Sequence, residues 1–224
     1  MVHVQSYVDH NTARINMVHG LLRPNQVVEE RIVEAILTTP REKFLPKEVQ
    51  NISYIDSDLS LGEGRFLMSP LTFSRLVQAS MIQEDDVVLD IGCGMGYSTA
   101  ILGKLASSVI GIDEKPEFLS NATEELSKLE ILNCIFHCAH LKDGFPKGAP
   151  YSLIFLEGAV DFVPEYILNQ LAENGRLMAI VTINAHQAVA RLYQRIGQHF
   201  AHRDLFDVNA KPLHGFQQLK EFKL

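Results

Sequence analysis

Short apolar runs alternate with amphipathic stretches from position 87 onward. The apolar runs predict strands at VVLDIG (87–92), SVIGID (108–113), CIFHCAH (134–140), YSLIFLEG (151–158) and RLMAIVT (176–182). The stretches between them predict helices at 98–106, 117–129 and 165–172. Strands that alternate with helices in this way form a parallel sheet covered by helices on both faces. We therefore predict an α/β, doubly wound, Rossmann-like fold.

The last part of the chain adds a predicted helix at 187–196 and two more strand-like runs. These runs are HRDLFDV (202–208) and GFQQLKEF (215–222), which fit an antiparallel hairpin at the sheet edge. With the five parallel strands, they predict a mostly parallel sheet of seven strands.

The first 82 residues follow a different pattern. Positions 11–38 look helical, with Val28, Ile32 and Ile36 on one face. Proline and glycine then punctuate positions 40–70, which predicts an extended, irregular segment lying across another surface. A helical pattern resumes over 71–81. We expect one domain over 1–224, with helices and this segment in 1–82 and the sheet in 83–224, because 224 residues would be cramped as two domains.

Glycine stands at every second position after the first predicted strand, in the run VVLDIGCGMGYST. Gly92, Gly94 and Gly96 predict a sharp turn into a helix, with a bare backbone against which a ligand can lie. A dinucleotide site has the spacing G-x-G-x-x-G, and Tyr97 stands where its last glycine belongs, which disfavours hydride transfer. The form Asp90-x-Gly-x-Gly-x-Gly instead resembles the motif of S-adenosylmethionine-dependent methyltransferases.

The residues that close the other strands are further candidates, because ligands of doubly wound sheets bind beyond the carboxyl ends of the strands. Asp113 closes the second strand, 21 residues after Gly92, which suits a carboxylate that binds ribose hydroxyls. It equally suits a cap for the helix that follows. His140 and Leu141 follow the third strand, where they would border an adenine, and Glu157 closes the fourth strand at the same crevice.

Asp90 and Cys93 have two interpretations each. Asp90 either contacts ligand or binds the amides of its own turn. Cys93 is the cysteine placed to touch a ligand, whereas Cys134 and Cys138 lie in apolar, strand-like contexts. The three cysteines are odd in number and lack a paired C-x-x-C spacing, so we expect them to be reduced and structural, with no metal site.

Charge and hydropathy exclude several classes of function. The formal net charge is −7, and positions 76–185 hold 6 Lys and Arg against 15 Asp and Glu, which argues against binding a nucleic acid backbone. No apolar run reaches the ~18 to 20 residues of a membrane span, and the first residues lack the apolar stretch of a signal peptide. We therefore expect a cytoplasmic protein. The oligomeric state is not readable from the sequence.

Several segments together resemble the protein-L-isoaspartate O-methyltransferase family. They are ARINMVHGLL, TTPREKFLP, SYIDSDLSLGEG with Pro70 following, VVLDIGCGMGYSTAIL, APYSLIF, QLAENGRL and the late KPL. The resemblance implies a repair enzyme that transfers the methyl group of S-adenosylmethionine to the isoaspartyl carboxylate of a damaged protein or peptide. It also implies that Asp90, Gly92, Cys93, Gly94 and Gly96 lie at the cofactor, together with Asp113, His140, Leu141 and Glu157.

The chain departs from the family pattern at the rim of the site. The family has Gly-x-Thr-Ile-Ser-x-Pro, with the serine as the active-site residue, where this chain reads GRFLMSP. Phe66 replaces the threonine and Met68 the serine, so a hydroxyl that would bond the acceptor carboxylate is lost. The neighbouring Ser69 replaces it only if the segment shifts by one residue, because adjacent side chains of an extended segment point in opposite directions.

Other departures follow the third and fourth strands, where the family has Gly-Asp-Gly and Thr-Ala-Ala. The chain has His140 between Ala139 and Leu141 at the first of these sites, and Glu157 begins the second. Three hypotheses therefore stay open. The chain is a methyltransferase acting on isoaspartyl protein or on another small acceptor, or a catalytically weak binding protein of the same fold, or, least favoured, a nucleotide-dependent oxidoreductase.

Overall fold

The computed structural model describes residues 9–218 of the chain. Its α-helices are α1 (His10–Met17), α2 (Glu30–Leu37), α3 (Pro70–Ala79), α4 (Tyr97–Leu105), α5 (Pro116–Lys128) and α6 (Glu165–Leu168). Its strands are β1 (Leu59–Gly62), β2 (Arg65–Leu67), β3 (Val87–Ile91), β4 (Ser108–Asp113), β5 (Cys134–Cys138), β6 (Tyr151–Val160), β7 (Leu171–Asn184), β8 (Gln187–Ile196) and β9 (His199–Asp207). Within residues 9–218, no helix combines the length and the apolar character that a membrane span requires.

Seven strands form one sheet in the order β5-β4-β3-β6-β7-β8-β9. The pairs among β5, β4, β3, β6 and β7 are parallel, and β8 and β9 add to the edge in antiparallel fashion. This confirms the predicted doubly wound, mostly parallel sheet with an antiparallel hairpin. The chain runs outward from β3 through β4 to β5 and then returns to the other side of β3 as β6. The strand order thus reverses beside β3, and a crevice opens at the carboxyl ends of β3, β4 and β6.

Two hydrophobic clusters cover the two faces of the sheet. Successive strand residues point to opposite faces, so Val88 of β3 belongs to the first cluster and Leu89 and Ile91 belong to the second. Residues of α2, α3, α4 and α5 pack in the first cluster, and those of α6 pack in the second. By the same alternation, Asp90 points to the face that α4 covers. This places a carboxylate directly beneath the start of that helix.

The N-terminal helices form largely as predicted, with one break. A π-helical turn (Val18–Leu22) and a 3-10 turn (Arg23–Asn25) extend α1, and Gln26 then adopts a left-handed backbone with φ 66°. The chain resumes helical geometry only at Glu30. Val28 therefore lies in the connection and is exposed, whereas Ile32 and Ile36 are buried as the apolar pattern predicts.

The predicted helix at 187–196 is wrong, because this segment is strand β8. It pairs with β7 over most of its length, and Ala188, Ala190 and Leu192 alternate into the first cluster. The antiparallel hairpin consists of β8 and β9, so the strand predicted at GFQQLKEF is also wrong over 215–218, and the rest of that prediction lies outside the described residues. Similarly, α6 ends at Leu168 rather than at 172, since β7 begins at Leu171.

The segment predicted as irregular over 40–70 contains a small two-stranded sheet. Strands β1 and β2 pair in antiparallel fashion and share no pairing with the seven-stranded sheet. Leu59 and Leu61 of β1 and Leu67 of β2 are buried, so one face of this hairpin packs inward. The hairpin lies across the carboxyl end of the main sheet, as its contacts with the glycine turn and with β4 show.

Candidate functional site

The glycine turn after β3 has a backbone that only glycine adopts without strain. Gly92, Gly94 and Gly96 have φ angles of 85°, 54° and 92°. The amides of Gly92 and Cys93 donate to the carbonyl oxygen of Ile112, at 2.9 and 3.1 Å, and so tie the turn to the end of β4. The main chain therefore bends sharply here, as predicted, but these two amides are used within the protein.

The bare backbone of the turn is covered by side chains of the same chain. A Cβ atom on Gly92 would lie 2.7 Å from Nη2 of Arg65 and 2.8 Å from Cδ1 of Leu213, and one on Gly94 would lie 2.6 Å from Cδ1 of Leu61. Leu61 and Arg65 come from the β1–β2 hairpin, and Leu213 comes from the segment after β9. Three side chains of the protein itself therefore lie against the backbone of the turn.

Asp113, at the end of β4, is buried and hydrogen-bonded on both oxygens. Oδ2 accepts from the Arg65 guanidinium, with Nη2 at 2.9 Å and Nε at 3.2 Å, and from the amide of Gly94 at 3.0 Å. Oδ1 accepts from the amides of Glu114 and Lys115, at 2.8 and 3.3 Å. Asp113 therefore lies in the crevice, as the ribose prediction requires. Its bonds to the amides of Glu114 and Lys115 hold the connection before α5 and do not cap the helix, whose N-cap residue is Lys115.

Asp90 lies under the first turn of α4 and does not contact the amides of the glycine turn. Its Oδ2 accepts from the hydroxyls of Ser98 and Thr99, at 2.7 and 2.6 Å. The prediction that Asp90 binds the turn's own amides is therefore wrong, because strand alternation aims its side chain at the helix. Burial raises the pKa of Asp90 to about 6, against the hydroxyl bonds that lower it.

Glu157 of β6 completes a buried carboxyl pair with Asp90. The two carboxyl groups are buried beside each other, and Glu157 Oε1 and Asp90 Oδ1 have no hydrogen-bond partner within residues 9–218. Burial and the charge of Asp90 raise the pKa of Glu157 well above its usual range. The surroundings of Glu157 therefore favour its protonated form. Burial likewise raises the pKa of the Cys93 thiol, so this cysteine is protonated.

His140 and Leu141 are adjacent in sequence but differ in exposure. The His140 side chain is 84% exposed, with Nδ1 3.2 Å from Glu114 Oε1, whereas Leu141 is buried in the second cluster. Of the two, Leu141 has the fixed position that a wall of a binding pocket needs. Their role beside an adenine stays a prediction.

The rim segment after β2 is held by buried polar contacts. Arg41 is fully buried over the Tyr97 ring, and it donates from Nη2 to the Met68 carbonyl oxygen at 2.6 Å and from Nε to the Ser53 carbonyl oxygen at 2.8 Å. The Met68 side chain is buried in the first cluster. The Ser69 hydroxyl caps α3 by accepting from the Thr72 amide at 3.3 Å. Both side chains at the rim are thus engaged in structural contacts.

Arg65 is the site residue that the sequence interpretation missed. It is the only Lys or Arg between Lys47 and Arg75. Leu67, two positions further along β2, is buried, so alternation in β2 would have placed the Arg65 guanidinium on the same inward face. A lone cation on that face needs a buried anion, and Asp113 was the available candidate.

A family model decides what the chain is related to. The model described as protein-L-isoaspartate(D-aspartate) O-methyltransferase matches residues 12–216. The chain belongs to the protein-L-isoaspartate O-methyltransferase family. A protein-L-isoaspartate O-methyltransferase from Methanoculleus marisnigri is 30% identical over 83% of this chain and 84% of its own length. One from Roseiflexus castenholzii is 30% identical over 93% of this chain and 94% of its own.

Solved structures support the same family fold. A protein-L-isoaspartate O-methyltransferase structure aligns with a TM-score of 0.78 and 25% identity, and the match covers 90% of this chain and 66% of that chain. A putative family member from Plasmodium falciparum, solved in complex with S-adenosyl-L-homocysteine, aligns with a TM-score of 0.75 and 18% identity over 92% of this chain and 99% of that chain. The predicted family and methyltransferase fold are confirmed.

The side chains at the crevice have the chemistry that a sulfonium nucleoside needs. Asp113 is a carboxylate at the tip of the strand next to the glycine turn, and the turn lacks Cβ atoms where a ligand would approach. The room beside them is taken by Arg65, Leu61 and Leu213. The Asp113 carboxylate and the bare backbone of the turn therefore fit S-adenosylmethionine.

Proposed function

We propose that this protein is an S-adenosylmethionine-dependent methyltransferase that methylates the carboxylate of isoaspartyl residues in damaged proteins or peptides. The observation that carries the proposal is the family match over residues 12–216, which includes the strand, the glycine turn and Asp113. The acceptor carboxylate needs no base to activate it, since a carboxyl group has a pKa near ~4 and is already an anionic nucleophile at neutral pH.

The chain's own residues bind and position the reactants. Asp113 would hold the ribose hydroxyls, and the glycine turn would admit the cofactor to the main chain. When bound, S-adenosylmethionine supplies a methyl group on a sulfonium centre that leaves as a neutral thioether. The protein must then align the acceptor carboxylate with that methyl group and exclude water. Phe66 contributes apolar surface at the rim, where the family has a hydroxyl, whereas the Met68 side chain is buried in the first cluster.

A labelled-methyl assay tests the proposal. We expect transfer of label from S-adenosylmethionine to an isoaspartyl peptide, with the aspartyl peptide of the same sequence as the matched control. The label should be released as methanol in mild base, because the product is a carboxyl ester. The Asp113→Asn variant should lose at least roughly tenfold in activity, the effect of losing one hydrogen bond to a charged group. Equal labelling of both peptides would contradict isoaspartyl specificity.

Binding without turnover is the second candidate. The observations that favour it are the loss of the rim hydroxyls at Phe66 and Met68 and the guanidinium of Arg65 on Asp113. The same assay run on a whole-cell extract separates the candidates. Label in an acceptor other than the peptide indicates a different methyl acceptor, whereas tight binding of S-adenosylhomocysteine without any labelled product indicates a binding protein.

A further inference from the structure

Arg65 occupies the position on Asp113 that the proposed function assigns to a ribose. Its Nη2 and Nε atoms lie 2.9 and 3.2 Å from Asp113 Oδ2, and Nη2 also donates to the Gly92 carbonyl oxygen at 2.6 Å. Both side chains of the ion pair are almost fully buried, at 6% and 0% exposed. One guanidinium therefore bonds both the strand-tip carboxylate and the glycine turn.

Asp113 has no capacity left for two ribose hydroxyls in this arrangement. An ionised carboxylate offers about four lone-pair sites, and five N–H contacts already reach the two oxygens. Three of the contacts come from backbone amides of Gly94, Glu114 and Lys115, which the fold fixes. The two contacts from Arg65 are the ones that a side-chain or hairpin movement can remove.

The hairpin that carries Arg65 is joined to the seven-stranded sheet by side-chain contacts, which include an ion pair of Glu63 in its turn with Lys115 at 3.1 Å. It forms its own two-stranded sheet, so no ladder of the main sheet breaks when it shifts. Its turn, residues 62–64, is exposed, and Cβ atoms on Gly62 or Gly64 would meet nothing within 4 Å. The base of the hairpin is fixed, because Asp58 accepts from the amides of Ser69 and Lys211, each at 2.8 Å.

We propose that Arg65 is an internal competitor for the cofactor site: the guanidinium and the ribose of S-adenosylmethionine bind Asp113 in mutually exclusive ways. The inference rests on the proposed function and adds a residue that sets the cofactor affinity. In the closed arrangement, Arg65 and Leu61 cover the carboxylate and the glycine turn. In the open arrangement, the hairpin pivots on its fixed base and exposes both. The apparent affinity for the cofactor is therefore the affinity of the open arrangement multiplied by the open fraction.

Calorimetry with S-adenosylhomocysteine on the full chain tests this competition. The Arg65→Met variant keeps an unbranched side chain of similar length but cannot bond Asp113. We expect it to bind S-adenosylhomocysteine roughly 10- to 150-fold more tightly than the wild type, the range for losing hydrogen bonds to a charged group. The matched control is Arg176→Met, which removes another largely buried Arg–Asp ion pair, formed with Asp86 at 2.6 Å at the opposite end of the sheet. Its affinity should equal that of the wild type.

A second measurement uses the wild type, so that it stands even if Arg65→Met does not fold. The Arg65 Nε–H group should give a protected signal in nitrogen-15 NMR, because it is buried and bonded to Asp113. Saturation with S-adenosylhomocysteine should remove this protection while the Arg176 Nε–H signal stays.

The outcomes separate the inference from the proposed function. Equal affinities of the wild type and Arg65→Met, or an Arg65 signal unchanged at saturation, would overturn the competition and leave the methyltransferase proposal standing. If neither protein binds S-adenosylhomocysteine at millimolar concentration, the proposed function itself fails, and the inference fails with it.

Discussion

Glutamine at position 157 keeps a hydrogen-bond donor opposite Asp90 but cannot ionise. The perturbation Glu157→Gln therefore removes one titration from the buried carboxyl pair and keeps a side chain of the same size. Burial and the neighbouring Asp90 raise the pKa of Glu157 well above the value of 4.5 that it has in the unfolded chain. The folded protein thus holds this proton at a pH where the unfolded chain has released it.

The sign of the effect follows from linkage. Because the pKa is raised in the folded state, the stabilisation from this proton is fully present below pH 4.5 and is lost progressively as the pH rises toward the folded-state pKa. One proton of difference changes the free energy of unfolding by about 1.4 kcal/mol for each pH unit. Above pH ~4.5, the wild type should therefore lose stability relative to Glu157→Gln, by at most about 1.4 kcal/mol for each pH unit, until the pH passes the folded-state pKa of Glu157. Burial is the main cause of the raised pKa of Asp90, and it acts in both proteins.

Urea unfolding at a series of pH values measures this difference. The free energy of unfolding in water is extrapolated for each protein, and the difference between the two is plotted against pH. Glu48→Gln, which changes an exposed glutamate, is the control and should give a flat line. A flat line for Glu157→Gln as well would refute the proposed proton of the carboxyl pair.

Two further predictions concern the glycine turn and the rim. Gly96→Ala should destabilise the protein by about 2 to 5 kcal/mol, because φ is 92° and the new Cβ would lie 2.7 Å from Cβ of Ala122. The control Gly197→Ala meets no neighbour and should cost about 1 to 2 kcal/mol. Thermal unfolding compares the two variants, and equal losses of stability would contradict the predicted contact. The variant Phe66→Thr should raise methylation of an isoaspartyl peptide roughly 10- to 150-fold by restoring one of the family's hydroxyls at the rim, and an assay without any gain would refute this role of the rim.

The sheet was predictable because its strands and helices differ in hydrophobic period. Strands β3, β4 and β6 are continuous apolar runs that end in glycine or acidic residues, so both their positions and the crevice at their ends follow from the sequence. Strand β8 was not predictable in the same way. Its sequence QAVARLYQRI is rich in good helix formers, and pairing with β7, a tertiary contact, decides its structure.

The site was predictable as far as it depends on strand ends. Asp90, Asp113 and Glu157 lie around the carboxyl ends of their strands, as the topology requires. Arg65 reaches Asp113 across 48 positions of sequence, and no local pattern encodes such a contact. The raised pKa of Glu157 was equally hidden, since it depends on burial and on the approach of two separate strands.

A crystal structure of the full chain with S-adenosylhomocysteine would show directly which groups bond the Asp113 carboxylate when the nucleoside is bound. The account predicts the ribose hydroxyls within hydrogen-bond distance of the Asp113 carboxylate, the nucleoside against the backbone of Gly92 and Gly94, and the Arg65 guanidinium displaced. A nucleoside bound elsewhere on the surface, with Arg65 still on Asp113, would contradict it.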